Sequence, residues 1–348
     1  MSVAAALKAL AYLGTMLLVG GAVCVVWLAP SMVRGESDPA NARRKRLAFA
    51  ALVALGAAVL AASSVLEVAN TLREVLGRVD ADLVRRYLAS TQHGQVVRER
   101  WLEVALVATA SIALVSWPSR GEGGRPADSG TARPPGWRLS DYGRLAVGAV
   151  AVCSSLLLLY GFARLSHAAA MGGAAPLGAD FTHMLAAAVW AGPLGYLALF
   201  APGAGAPREG APGEGARAVF AAAMRRLSTV GALAVAVLAV TGTYNALGHV
   251  TEPAAFATSA YGTALWVKLA LFALVVVVAA LNRFRKLPRF LAGGPVAPLR
   301  RTLRIEAALV GALLLVTGAL TTAPLPHSDS GMSDAWTNLL HLIDLLRR

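Results

Sequence analysis

The fold is decided by apolar stretches such as residues 180–200, DFTHMLAAAVWAGPLGYLALF, which is about as long as a helix that crosses a bilayer. This stretch opens with Asp180 and His183 and carries Trp190 two turns further along. Polar groups so close to hydrocarbon are costly and tend to be functional. The stretch therefore indicates a transmembrane helix and, at its start, a candidate site.

Similar runs recur along the chain, and the composition fits a membrane protein. Of the 348 residues, 57% are hydrophobic and 15% are charged, whereas about a quarter of the residues of a soluble domain are charged. The runs lack the period-2 alternation of a barrel strand, so helices are the available spanning structure. We predict an all-α polytopic membrane protein with eight transmembrane helices. The runs are residues 4–29, 47–66, 101–117, 145–165, 181–200, 227–247, 264–281 and 305–322.

The net charge of +13 is unevenly distributed between the loops. Most of the 32 basic residues follow the first, third, fifth and seventh runs. The positive-inside rule puts these loops in the cytoplasm and both termini outside. A basic patch that binds nucleic acid is the other interpretation, but topology already explains the bias, so we expect no nucleic-acid partner.

The two halves of the chain share short motifs in the same order, which indicates a duplication. Four helices separate the matched positions, so both halves point the same way across the membrane. We therefore predict two parallel four-helix repeats, residues 1–167 and 168–348, the second with an extracytoplasmic C-terminal tail. The matched pairs are Tyr12 with His183, His93 with Tyr261, Arg100 with Lys268, and His167 with His327.

All six histidines fall on the predicted outer side. A lone histidine at a membrane interface is often only an amphipathic anchor, but neutral imidazole is also a common ligand of copper, zinc, nickel and iron. Six on one face, three of them at helix ends that the repeat relates, favour a metal site. We predict that its ligands are His167, His183, His327 and His93.

Other polar and aromatic residues are expected around this site. Asp180 lies one helical turn before His183, so it either caps the helix or accepts the second ring N–H and orients the imidazole. The remaining neighbours are Tyr12, Tyr261, Trp190 and Lys268.

The two cysteines, Cys24 and Cys153, fall inside predicted helices. They are interpreted as small packing residues or, together with Met16, as soft stepping points for an ion. The chain has no C-x-x-C, G-x-S-x-G, P-loop or H-E-x-x-H motif, so we expect no enzymatic activity.

Three stretches resemble the copper resistance D family, which includes CopD and PcoD. They are FTHMLAAAVWAGPL around His183, RRLSTVGALAVAVLAVTGTYNA at residues 225–246, and YGTALWVKLALFAL at residues 261–274. The resemblance matches His167, His183, Trp190, Asn245, Lys268 and Asn282 to the family's recurrent positions. Where the family tends to have two glycines, this chain has Gly192-Pro193.

The resemblance implies an eight-helix protein of the bacterial inner membrane that moves copper, as Cu⁺ or Cu²⁺, into the cytoplasm. It also implies a separate periplasmic copper-binding partner of the CopC type. Two other functions remain open: a redox protein that binds haem b between two histidines, and a copper sensor or assembly partner without flux. The sequence does not decide whether the chain forms a homo-oligomer.

Overall fold

A computed structural model describes residues 2–28, 39–117, 139–166, 173–201, 214–249 and 259–323. These ranges contain helices and no strand. A π-helical turn, Cys24–Leu28, extends α1, and a second one, Asn282–Lys286, joins α8 to α9. The α-helices are α1 (Val3–Val23), α2 (Pro39–Leu76), α3 (Ala81–Ser90), α4 (Gln92–Ser116), α5 (Leu139–Arg164), α6 (Ala174–Phe200), α7 (Glu214–His249), α8 (Ala260–Leu281), α9 (Leu287–Leu291) and α10 (Ala297–Leu320).

Seven of the described helices are long and apolar enough to cross a membrane. The all-helical, multi-pass architecture expected from the sequence is therefore observed. The predicted third span, residues 101–117, forms most of α4, which is not among the seven. The last 18 residues of α4 include three charged side chains, Glu99, Arg100 and Glu103, which make this helix less apolar. Eight crossings therefore remain a prediction.

Helix α1 is the central element of the bundle, because it packs against α2, α4, α5, α6 and α10. Small residues allow these close approaches. Gly20 faces Gly192 of α6, where an added Cβ would lie 2.4 Å from the Gly192 carbonyl carbon. A Cβ on Gly14 would lie 2.8 Å from the Leu60 amide nitrogen of α2, and Gly318 brings α10 against α1. Helix α6 continues through Pro193 without a break.

The packing partners follow the order that a parallel repeat requires. The contact α1–α2 in the first half corresponds to α6–α7 in the second, and α4–α5 corresponds to α8–α10. Between the halves, the contact α1–α10 corresponds to α6–α5. One pair departs from the pattern: α2 packs against α4, whereas α7 and α8 share no comparable contact in the ranges given above. The repeat and its boundary remain predictions, and the boundary residue His167 lies outside the described residues.

Helix α3 lies across the ends of α2 and α4. The Asp80 side chain caps it by accepting a hydrogen bond of 2.9 Å from the Leu83 amide. Leu83 and Tyr87 pack against Val68 and Leu72 of α2 and Val97 of α4. This short amphipathic helix positions the Tyr87 side chain beside α4.

Candidate functional site

One end of the bundle collects most of the polar side chains considered below, and we call it the N-terminal end. Here α1, α4, α6 and α8 begin, and α2, α5, α7 and α10 end. The contacts Lys8–Glu67, Glu99–Arg164 and His183–Thr241 each join the beginning of one helix to the end of another. The polar groups form two clusters, one in each half of the chain.

His183 of α6 has a defined orientation because Thr241 of α7 holds its ring. The Thr241 hydroxyl donates its only proton to the Val237 carbonyl at 2.7 Å. It must therefore accept from Nδ1–H of His183, 2.9 Å away. This tautomer leaves the lone pair on Nε2, the form in which an imidazole binds a metal ion. Gly242 leaves room for the ring, since a Cβ there would lie 3.4 Å from Cε1 of His183.

Three further polar residues complete what we call the His183 cluster: Asp180, Asn245 and Lys268, together with His183 and Thr241. Asn245 Nδ2 donates to Asp180 Oδ1 at 3.3 Å. Lys268 of α8 lies close enough to interact electrostatically with Asp180 and His183. All five side chains are half-buried.

One of the two roles predicted for Asp180 is to accept the second N–H of His183, but Thr241 is the partner of Nδ1. Asp180 and His183 are three residues apart on α6, and Asn245 and Thr241 are four apart on α7. The two helices run in opposite directions, so Asp180 meets Asn245 while His183 meets Thr241. The facing D-x-x-H and T-x-x-x-N spacings are the signal in the sequence that could have identified Thr241.

The aromatic residues expected around the site have different surroundings. Trp190 is buried two turns along α6, where a Cβ on Gly231 would lie 3.0 Å from its indole ring. Tyr261 packs with Leu265 and Leu320 between α8 and α10. Both residues support the helix packing around the His183 cluster.

The first half holds a second group, the Glu67 cluster, formed by Lys8, Glu67, Tyr87, His93 and Arg100. Glu67 Oε1 lies 2.6 Å from Lys8 Nζ and 3.8 Å from His93 Nε2, and Oε2 lies 3.6 Å from an Arg100 nitrogen. The Glu67 carboxylate is thus the common partner of two cationic side chains and an imidazole. The cluster ties α2 to α1 and α4.

Both ring nitrogens of His93 face protein groups in this cluster. The Tyr87 hydroxyl lies 2.8 Å from Nδ1. Burial, reinforced by the negative charge of Glu67, raises the pKa of Tyr87 to about 12. The phenol therefore keeps its proton and donates it to Nδ1, which leaves the Nε2–H directed at Glu67. The predicted fourth ligand His93 thus occupies a position in which both ring nitrogens face protein groups.

The predicted repeat matches Arg100 and Tyr12 of the first half to Lys268 and His183 of the second. The Arg100 side chain is 1% exposed, donates to Ser64 Oγ at 3.3 Å and lies 4.1 Å above the Phe162 ring. Tyr12 packs on the same ring and is near Arg100. A phenol therefore stands where the repeat would place an imidazole.

The predicted four-histidine pocket is tested only in part. His167 and His327 lie outside the described residues. In the part of the chain that the structure covers, no three His, Cys, Asp or Glu side chains converge on a metal position. The convergence of His167, His183 and His327 remains a prediction.

The cysteines do not lie along one path. Cys24 is buried in the π-helical turn that follows α1, whereas Cys153 is exposed on α5. The packing interpretation fits Cys24. The proposed series of stepping points through Cys153 is not supported by these positions.

Comparison with protein families gives two matches. Residues 221–320 match the family described as copper resistance protein D, and residues 1–127 match the copper resistance protein D-like N-terminal domain. The first range contains Thr241, Asn245 and Lys268 of the His183 cluster, and the second contains the whole Glu67 cluster. Comparison with curated proteins and with solved structures gives no match.

Proposed function

Because the chain belongs to the copper resistance protein D family, we propose that it binds copper at the N-terminal end of the bundle through Nε2 of His183 and passes it into the cytoplasm. The observation that carries this proposal is the hydrogen bond between His183 and Thr241, which leaves a metal-binding lone pair on Nε2. In this scheme copper is the transported ion, and the chain has no catalytic role.

Access and charge favour the His183 cluster over the Glu67 cluster as the copper site. Beside the His183 cluster, α7 and α8 share no contact comparable to the α2–α4 contact beside the Glu67 cluster in the described ranges. It pairs one carboxylate, Asp180, with one ammonium, Lys268. The Glu67 cluster holds two cations, Lys8 and Arg100, for one carboxylate, and this excess positive charge disfavours a metal cation.

We propose that two more histidines, His167 and His327, supply additional ligands. His167 follows the last residue of α5, Arg164, by three positions, and His327 follows the last residue of α10, Leu320, by seven. Both α5 and α10 pack against α6, the helix that carries His183.

The charge bias supports the proposed side for copper entry. The positive-inside rule assigns the N-terminal end to the periplasmic side of a bacterial inner membrane and the basic loops to the cytoplasm. Copper would then arrive from a periplasmic CopC-like protein at the His183 cluster. Uptake without a nucleotide site would depend on ion gradients or on capture of copper inside the cell.

The test is metal analysis and an absorption spectrum of the protein purified in mild detergent, combined with copper uptake into reconstituted vesicles. We expect bound copper and uptake in the native protein, loss of both in His183→Ala, and retention of both in His93→Ala. Equal copper content and uptake in the native protein and His183→Ala would reject the site. A Soret band with a bis-histidine spectrum would identify a haem protein instead, and copper binding without uptake would indicate a sensor or assembly role.

A further inference from the structure

The end of the bundle opposite the two clusters carries an open groove on α10. Its volume is about 330 Å³. The lining residues are Ala297, Arg300, Arg301, Arg304, Ile305 and Ala308. All six lie on the first three turns of one helix, at the end where that helix enters its membrane-spanning segment.

The charge of this groove suits an anion. Three of the six lining residues are arginines and none is acidic. The groove also lies at the beginning of α10, where the helix dipole adds positive potential. Arg304 is oriented by the end of α6, since its Nε lies 3.5 Å from the Ala198 carbonyl oxygen. Planar guanidinium groups bind phosphate oxygens in pairs, which makes a phosphate ester a better match than a halide.

The surface that continues from the groove along α10 is apolar. Ile305 is 44% exposed, and Leu315 is 50% exposed three turns further into the span. Between them, the position of Gly311 is open, because no atom lies within 4 Å of where its Cβ would be. Small residues between exposed aliphatic ones form a shallow strip that a hydrocarbon chain can fill.

We propose that the groove binds the headgroup of an anionic phospholipid, with the phosphate on Arg300, Arg301 and Arg304 and one acyl chain along the strip from Ile305 to Leu315. A soluble anion would satisfy the arginines but leave this strip unused, whereas a lipid of the surrounding bilayer matches both parts. Basic residues next to a membrane-spanning segment attract anionic lipids, and the three arginines of the groove have this position relative to α10. This site is independent of copper binding at the other end of the bundle.

The experiment compares lipid retention by native mass spectrometry of the full chain, purified from nanodiscs of phosphatidylglycerol and phosphatidylcholine. We expect the native protein to retain phosphatidylglycerol preferentially. Each arginine contributes about five-fold in affinity, on the order of 1 kcal/mol. The variant R300Q/R301Q/R304Q should therefore lose roughly a hundred-fold and bind the two lipids alike.

The matched control removes three charges from the same end of the bundle but outside the groove. R285Q/K286Q/R289Q should keep the preference for phosphatidylglycerol. Ala308→Trp keeps every charge, fills the strip and should weaken retention of both lipids at the groove. If the triple variant fails to fold, the exposed single substitution Arg301→Gln still predicts a five-fold loss. Equal preference in the groove and control variants would overturn the proposal, as would displacement of the lipid by millimolar inorganic phosphate, which would identify a soluble anion as the ligand.

Discussion

Thr241 determines which nitrogen of His183 is available to a ligand. Threonines in a helix commonly donate to the carbonyl four residues earlier, as both Thr241 and Thr243 do here. Only Thr241 also faces an imidazole. A hydroxyl whose proton is already donated can only accept, so it fixes Nδ1–H on His183 and keeps Nε2 basic. Outer groups of this kind tune metal affinity without touching the metal.

Replacing Thr241 by valine tests this arrangement. Thr241→Val keeps the side-chain shape but removes the acceptor, so the ring of His183 loses its fixed tautomer and orientation. We expect copper affinity to fall by about 10–100-fold, measured by competition with a chelator of known affinity. Thr243→Val is the control, because Thr243 makes the same helical hydrogen bond but is exposed on α7. Equal affinities in the two variants would show that His183 does not bind copper through Nε2.

Glu67 has a structural role that the His183 cluster lacks. Its carboxylate is the common partner of Lys8, His93 and the buried Arg100. Removing one member of a buried ion pair leaves an uncompensated charge, which costs about 3–5 kcal/mol.

We therefore expect Glu67→Gln to destabilise the protein by about 3 kcal/mol, since Arg100 would lose its carboxylate while remaining buried. The measurement is the midpoint of unfolding in a fixed detergent. Glu74→Gln on the same helix is the control, because Glu74 is exposed and accepts a hydrogen bond from Asn70 one turn away. Similar unfolding midpoints for both variants would mean that the Glu67 cluster contributes little to stability.

At the scale of elements, the crossing of α1 and α6 sets how close the two halves approach. The backbones meet at Gly20 and Gly192, and a Cβ on Gly192 would lie 2.6 Å from both the Gly20 Cα and the Met16 carbonyl oxygen. Neither backbone can yield as a flexible side chain would. The position of His183 relative to α1, α5 and α10 therefore depends on this contact.

Gly192→Ala should force α1 and α6 apart and cost about 1–3 kcal/mol of stability, as overpacking does in well-packed cores. Gly195→Ala provides a matched control on the same helix, because a Cβ there meets no atom within 4 Å. Alanine also favours helix over glycine by about 1 kcal/mol, so the control should be neutral or slightly more stable. The two variants are compared by thermal unfolding in detergent. A stable Gly192→Ala variant would show that the two helices can separate there without cost.

The helix ends illustrate what hydropathy can and cannot predict. Apolar runs located the helices but not their lengths: the run 47–66 lies inside α2, Pro39–Leu76, and the run 101–117 begins nine residues after the start of α4 at Gln92. Hydropathy marks the part of a helix suited to hydrocarbon, whereas the first turns of α4 are fixed by polar groups. Thr91 caps this helix by accepting from the Gly94 amide at 2.9 Å, and Glu67 pairs with Arg100.

The candidate site was predictable only in part, for a related reason. Asp180 and His183 stand out in the sequence because they are polar at the start of an apolar run. Thr241 does not stand out by itself, since Thr243 makes the same helical hydrogen bond and only the four-residue spacing from Asn245 distinguishes Thr241. That spacing identifies Thr241 only once α7 is known to pack antiparallel to α6, and local sequence does not encode which helices pack together.

For the whole molecule, the number of membrane crossings depends on α4. Its 25 residues extend about 37 Å, which exceeds the roughly 30 Å hydrocarbon core. Val97, Val107 and Leu114 are buried from one end of the helix to the other, and α4 packs against α1, α2 and α5, three helices suited to span the membrane. Its charged residues lie in the first half, where Arg164 pairs with Glu99 at 2.7 Å and Glu67 pairs with Arg100. Because spanning helices pack along its length, we predict that α4 crosses the membrane with them.

Reporter fusions on either side of α4 test both the crossing and the orientation. We expect alkaline phosphatase, active only outside the cytoplasm, to be active when fused after residue 80 and inactive after residue 128, with fluorescent-protein fusions giving the opposite result. Fusions after residues 205 and 255 provide reference points, since the charge bias assigns the first to the cytoplasm and the second to the outside. If residues 80 and 128 lie on the same side of the membrane, α4 is excluded as a span. If the activity is inverted at all four positions, the protein still has eight crossings but His183 lies on the cytoplasmic side. It would then release copper instead of receiving it.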